Sequence, residues 1–391
     1  MSNKKVSDEV EKYQLKNGDI RYRYRHKYYD SNGTRREKKE SSFASKKEAE
    51  LALLQVKADI LNGNIKKVEN SKLTVSQWLD AWYEMYSHGW EITTRHERKR
   101  IIKKYMKPLL GKYNLIELDR STYVREYIKP LLKKLKPSTV STYHNYFKIA
   151  VNAALEEEIL VRNRFKKVSI EQNEQRKNFL TSHELNILLD TTKKYSHITG
   201  YTLTLLLAYT GLRIGEALGL KWADMNFKTK EITVNCTRDC KGERSPKTKN
   251  SYRTIPVDPL LINQLSTYQK WCMEIKFRYG SRLDKKSDYV FISQRGAAEI
   301  YTEVAKIVLR NTYKKLKEEN INITRISPHG LRHTHATILI NNGVPPKTIA
   351  DRLGNTVEMV YKVYGHSFKE MENKAVTVFS DSLIGAKTGA D

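Results

Sequence analysis

"LLLAYTGLRIGEALGLKW", residues 205–222, is apolar almost throughout, yet it carries Arg213 and Glu216 three positions apart. That spacing places both on one helical face, and burying a guanidinium in such surroundings is costly unless an anion meets it. Two readings follow. Either the two side chains neutralise each other inside a core, or Glu216 orients the Arg213 fork toward an external anion such as phosphate. The longest apolar run, Tyr201 to Leu220, contains both charges, which argues against a membrane span.

Downstream, "KEITVNCTRDCKGERSPKTKNSYRTIPV" (230–257) has two strand-like ends, "EITV" and "YRTIPV", joined by a basic polar segment that holds Lys247 and Lys249. "SPHGLRHTHATILINNG" (327–343) predicts a helix opening near Pro328 and ending at Gly343. His329 and Arg332 share a face of its first turn, where free N–H groups and the helix dipole favour an anion. His329 and His333 stand four apart with His335 close by, which is metal-like spacing, but no carboxylate ligand or cysteine pair accompanies them. "DRLGNTVEMVYKVYGH" (351–366) contains Tyr361 and Tyr364. It reads either as a helix-turn-helix with Gly354 at the turn and structural tyrosines, or as a helix presenting one tyrosine for chemistry. In a chain with 24 tyrosines, packing is the default.

Upstream the texture differs. "IRYRYRHKYY" (20–29) alternates strictly, with Arg21, Arg23, Arg25 and Lys27 on one face and Ile20, Tyr22, Tyr24 and Tyr28 on the other, as a strand requires. A turn at 30–34, a second polar strand to Phe43 and a helix begun by the capping box "SKKE" (45–48) complete a small module. From residue 72 to about 165 the pattern is helical. It starts with a Thr74/Gln77 cap pair, includes a helix from Pro137 with Val140, Tyr143, Phe147, Ala150 and Ala154 on one stripe, and holds the basic stretch 95–107. Arg95, Arg98, Lys99 and Arg100 in that stretch are candidate DNA contacts, as are the four cations of the first strand. The polar stretch 166–178 reads as a linker, and Thr181 with Glu184 caps the next helix.

A net charge of +27 over 391 residues points to a polyanion, most often nucleic acid. The first residues, "MSNKKVSDEVEKY", lack the apolar core of a signal peptide. Cys236, Cys240 and Cys272 form an odd set without metal-ligand pairs, the usage expected in a reducing cytoplasm.

Taken in order, "TGLRIGEAL", "PKTKNSYRTIP", "HGLRHTHA" and "RLGN…VYGH" resemble the four motifs of the tyrosine recombinases, the phage and transposon integrase family, over about residues 175–370. The resemblance implies a multidomain α+β chain: a small β-sheet-plus-helix arm-type DNA-binding module (1–66), a helical core-binding domain (72–168), and a mainly α catalytic domain with a small β-hairpin sheet (175–391). It implies site-specific integration and excision of a mobile element through a 3′-phosphotyrosine, with neither ATP nor metal and no other cofactor. Arg213 and Arg332 would clamp the scissile phosphate, Glu216 would support Arg213, and His329 would serve proton transfer. Lys247, with Lys249 as the alternative, would protonate the departing 5′ oxygen, and Tyr364 would attack. Asn355 departs from the family pattern, which has histidine there and sometimes tryptophan. Its amide donates a hydrogen bond but carries no proton at neutral pH, so a positioning role is expected. Implied partners are double-stranded attachment sites of core and arm type, other copies in a homotetramer, and an accessory excisionase or host DNA-bending protein. No membrane partner is implied. The tail holding Ala375, Val376, Val378 and Phe379 is expected to dock on a neighbouring copy or on its own core.

Overall fold

A computed structural model describes residues 9–30, 32–171, 177–246 and 248–365, with only the backbone of Lys249. Lys247 and the apolar tail after residue 365 lie outside the described residues. The chain divides into two compact units, 1–174 and 175–391.

In the first unit, β1 (Val10–Gln14), β2 (Ile20–Tyr29) and β3 (Arg35–Phe43) form an antiparallel sheet in that order. The alternation in β2 is expressed from Arg23 onward, whereas at the strand's start Ile20 is exposed and Arg21 half-buried. Tyr24 and Tyr28 are buried while Arg23, Arg25 and Lys27 are exposed. Helix α1 (Lys46–Leu61) lays Ala49 and Leu53 against Val10 and Tyr24, and Ser45 caps it by accepting from the Glu48 N–H. After the short α2 (Ile65–Glu69), a second and larger core is enclosed by α3 (Val75–Tyr86), α4 (Ile92–Ile101), α5 (Lys107–Leu110), α6 (Arg120–Tyr123), α7 (Lys129–Leu132) and α8 (Pro137–Glu156). Wide π-type turns over 102–106 and 124–128 join α4 to α5 and α6 to α7. Val140, Tyr143, Phe147, Ala150 and Ala154 are all buried, so the stripe read from the sequence is the packed face of α8. The Trp78 indole N–H donates to the Ala150 carbonyl at 2.8 Å, fixing α3 on that face.

The second unit is mainly helical. Thr181 and Glu184 form the reciprocal cap that opens α9 (Ser182–Tyr195). Helix α10 (Ile198–Thr210) is apolar all round because it is surrounded by α9, α12 (Pro259–Arg278), α13 (Glu303–Glu318) and α14 (Pro328–Asn341). The run 205–222 is not one helix. It breaks at Gly211, whose φ of 66° is left-handed, and resumes as α11 (Ile214–Gly219). Arg213 therefore stands at the start of α11, outside the helix, and the same-face expectation for Arg213 and Glu216 is replaced by a cap. The Glu216 carboxylate reaches back to the Arg213 backbone N–H at 3.0 Å. A Cβ at Gly211 would lie 2.6 Å from a Leu353 methyl and 2.9 Å from the His335 ring, so both conformation and space require glycine there.

"EITV" and "YRTIPV" do pair. β5 (Glu231–Val234) lies between β4 (Met225–Asn226) and β8 (Arg253–Pro256), with Ile232 opposite Ile255. The segment between them, basic and polar in sequence, contains a further hairpin, β6 (Thr237–Asp239) with β7 (Gly242–Arg244). Its turn is made by Gly242, φ 105°, and by Asp239 accepting from the Lys241 N–H at 2.8 Å. Arg238, buried in this hairpin, anchors it to the Leu218 and Ile300 carbonyls. Last come α15 (Pro346–Leu353) and α16 (357–365), separated by Gly354 in the left-handed conformation. α14, α15 and α16 share a small core of Ala336, Ile340, Ile349, Leu353, Val360 and the Tyr364 ring. Among the described residues no helix is long and apolar enough to cross a membrane.

Candidate active site

Four segments far apart in sequence converge in the second unit. Glu216, 3% exposed, is the anionic centre: one carboxylate oxygen accepts from Arg213 Nη1 at 2.7 Å and the other from Arg253 Nη2 at 2.9 Å. Burial pushes its carboxyl up, but the Arg253 and Arg213 guanidiniums outweigh burial and hold it below the usual carboxylate range. Arg213 Nη2 donates to Asn355 Oδ1 at 2.7 Å. Since a guanidinium only donates, this contact fixes the amide with its oxygen toward Arg213 and its NH2 turned away. The Arg213 fork is thus braced on both sides, and its side chain remains 40% exposed.

Arg332 is 2% exposed and donates to two backbone carbonyls, Gly211 at 2.9 Å and Leu353 at 2.8 Å. It joins the break after α10 to the end of α15. Burial and the nearby positive Arg213 push it down to about 10, so it remains charged at neutral pH. His329 is pushed down to about 4 by burial, His333, Arg332 and Arg213, and is neutral in the free protein.

Of the two tyrosines, Tyr361 is 51% exposed and Tyr364 3%. The Tyr364 ring packs in the small core while its hydroxyl lies 3.1 Å from His333 Nδ1. Burial raises its pKa, and the charges of Arg332 and Arg213 act the opposite way, so both guanidiniums lie within electrostatic reach of the phenol. Arg213, Glu216, His329, Arg332, Asn355 and Tyr364 therefore belong to one cationic pocket. Lys247 is outside the described residues, and of Lys249 only the backbone is placed, in the turn 249–251 that precedes β8.

Two participants, Arg253 and His333, escape the sequence reading. Arg253 is separated from Glu216 along the chain, and no local pattern announces their pairing. His333 does carry a signal, its four-residue spacing from His329, but that spacing suggests a metal. The ring of His333 instead meets His329 edge-on at 4.8 Å and faces Tyr364. His335 turns elsewhere: Nδ1 donates to the Ala208 carbonyl at 2.9 Å and Nε2 accepts from Arg352 at 2.9 Å. Among the described residues no cluster of three could hold a metal ion.

The other basic candidates lie in the first unit. On β2, Arg21 is half-buried, Arg23 pairs with Glu11 at 2.7 Å, Arg25 pairs with Glu37 at 3.4 Å, and Lys27 is exposed. On α4, Arg95 donates to the Ser87 carbonyl at 3.1 Å, Lys99 lies over the Tyr83 ring, and Arg100 binds Glu97 and the Tyr143 hydroxyl. Arg98 differs from its neighbours. It is held among the Trp82, Trp90 and Tyr146 rings, 4.2 Å from the Trp90 centroid, and braces α4 against the core.

Comparison with known proteins follows the same division. Residues 178–371 match the phage integrase family, 10–60 an arm DNA-binding domain, and 74–132 the N-terminal SAM-like domain of phage integrases. The chain is 29% identical over 372 residues to "Tyrosine recombinase XerC-like" of Caldanaerobacter subterraneus subsp. tengcongensis, covering 89% of this chain and 92% of that one. Two solved structures share the fold. The Tn1549 transposon integrase in complex with a circular intermediate DNA has a TM-score of 0.66 at 20% identity, covering 77% of this chain and 99% of that one. A lambda integrase dimer bound to a COC′ core site has a TM-score of 0.57 at 18% identity, covering 90% and 93%. With its motifs converging on one pocket and these matches extending from residue 10 to residue 371, the chain belongs to the phage integrase family of tyrosine recombinases.

Proposed function

We propose that the protein is a site-specific DNA recombinase that integrates and excises a mobile element, cutting each strand by attack of Tyr364 on phosphorus. What supports this reading is the Tyr364 hydroxyl, 3.1 Å from His333 Nδ1 and under the charges of Arg332 and Arg213, with Arg332 tied to the Leu353 carbonyl beside the same small core. Cleavage places added negative charge on the non-bridging phosphate oxygens, and preorganised guanidiniums aimed there stabilise that charge without reorganising. Glu216 and Asn355 hold the Arg213 fork in place, and the Asn355 NH2 is left to donate to a phosphate oxygen. His329 assists proton transfer, and Lys247 or Lys249, on the segment before β8, protonates the departing 5′ oxygen. The 3′-phosphotyrosine conserves the bond for a second strand's 5′-hydroxyl, so resealing needs no outside energy source.

In this reading residues 1–66 bind arm-type sites through Arg21, Arg23, Arg25 and Lys27, with Arg23 and Arg25 exchanging exposed carboxylate partners for phosphates. Residues 72–168 bind core-type sites through Arg95, Lys99 and Arg100, and 175–391 carry out the chemistry. The working assembly is a homotetramer on two duplexes in the bacterial cytoplasm, with an excisionase or DNA-bending protein setting direction.

Incubation with a nicked suicide duplex of the attachment site, without added metal, tests the proposal. A covalent protein–DNA adduct is expected from the native chain and none from Tyr364→Phe, which retains single-site binding. Site binding by the native chain without any adduct would refute recombinase chemistry and leave a DNA-binding regulator.

A further inference from the structure

Resting on the recombinase reading, the pocket leaves open which group removes the proton of the attacking phenol. A phenol with an ordinary pKa of about 10 needs a base in reach as it attacks at neutral pH. Asn355 is chemically unable to serve, and its oxygen is already bound to Arg213. His329 stands in the same pocket, among the charges of Arg332, Arg213 and Glu216, with its ring edge-on to His333. The nitrogen at the phenol oxygen is His333 Nδ1, at 3.1 Å. Two packed elements fix the contact: α14 carries His333, α16 carries Tyr364, and their shared core includes Ala336, Ile340, Val360 and the tyrosine ring itself.

We infer that His333 is the general base for Tyr364. A phenol donates a hydrogen bond more readily than it accepts one, so the reactive form is neutral His333 with Nδ1 accepting and the proton on Nε2. As Tyr364 Oη bonds to phosphorus, its proton passes to Nδ1. The bond from phosphorus to the 5′ oxygen breaks, and that oxygen takes a proton from the lysine ammonium of the proposed mechanism. On resealing, the attacking 5′-hydroxyl returns its proton to the lysine, and the departing Tyr364 oxygen recovers its own from His333. No electron is gained or lost, and the protons balance over the cycle. His329 and Tyr364 both stand against the His333 ring, and the charges of Arg332 and Arg213 act on each of those two neighbours. The bound phosphate supplies the anionic charge that lets a transient imidazolium form among them.

The test uses the full chain and a suicide duplex made in two forms, one with the natural 5′ oxygen and one with a bridging 5′ sulfur that departs without protonation. His333→Ala is expected to slow adduct formation about 100-fold on both, the scale of general-base catalysis. It should leave single-site binding unchanged and regain rate with added imidazole. Lys247→Ala, by contrast, should be restored by the sulfur substrate. His333→Asn, which still offers a hydrogen-bond acceptor but no base, should stay as slow as alanine and separates proton removal from positioning. The assignment is overturned if His333→Ala cleaves within twofold of the native chain, if sulfur restores it as it restores the lysine variant, or if asparagine restores the rate. Absence of adduct from the native chain would instead bring down the recombinase reading itself.

Discussion

Glu216 answers to two guanidiniums of different kinds. Arg253 is a buried structural partner, its side chain only 7% exposed and its Nε bound to the Arg352 carbonyl. Arg213, its side chain 40% exposed, is the working partner on the proposed mechanism. Removing Glu216 strands a buried cation, whereas removing Arg213 leaves Glu216 still paired. Glu216→Ala is therefore expected to destabilise the second unit by about 3–5 kcal/mol, read as a lowered urea midpoint, while Arg213→Ala stays within about 1–2 kcal/mol yet abolishes adduct formation. Equal losses of stability would contradict this division. At this scale the sequence is only partly legible. Arg213, Arg332 and Tyr364 are marked by their short motifs. Arg253 is not, because its importance lies in a pairing across the fold, and His333 suggests a different chemistry because spacing alone cannot say which way a ring nitrogen points.

Elements are legible where their signals are local. Thr74 with Gln77, Thr181 with Glu184 and the proline near the start of α14 mark helix starts within four residues, and β2 announces itself by alternation. The break between α10 and α11 is hidden, because a left-handed glycine in an apolar run looks like a tolerated interior glycine until Leu353 and His335 press against it. The β6–β7 hairpin is hidden too, since three-residue strands in a polar segment carry too little periodicity to count. Gly354 links the pocket's two sides. A Cβ there would lie 2.7 Å from Arg253 Nη1 and 2.9 Å from the Asn250 carbonyl, with φ at 65°. Gly354→Ala is expected to cost about 1–2 kcal/mol from the backbone alone, and by shifting Asn355 to lower the cleavage rate more than tenfold with DNA binding preserved. An unchanged rate in crystals or solution assays of that variant would show the turn to be tolerant.

Among the described residues, burial pushes His144, His197, His329 and His335 below the ordinary histidine range, and three of them are held neutral well into mild acid: His144 in the first unit, hydrogen-bonded to the Tyr123 hydroxyl at 2.9 Å, and His329 and His335 in the second. Burial is the leading cause for each, and each is pushed from an ordinary 6.5 to about 4. The unfolded chain thus binds more protons than the folded one between those values. Stability is full above about pH 6.5 and declines as pH falls toward 4, by about 1.4 kcal/mol per pH unit for each histidine fully in that window. Melting temperatures of the full chain from pH 7.5 down to 5 should fall accordingly, and His144→Gln should flatten the slope for the first unit; a pH-independent melt would refute the account. At this largest scale the sequence discloses most: the basic excess, the three-part texture and the motif order are all readable, since they need no knowledge of which residues touch. The pocket has one consequence for an assembly of copies. A protomer that keeps its own tyrosine folded against its own histidine and arginines borrows no blade from a neighbour. On the proposed mechanism the assembly must then govern when each copy cuts, because the nucleophile and the arginines already stand together within each of them.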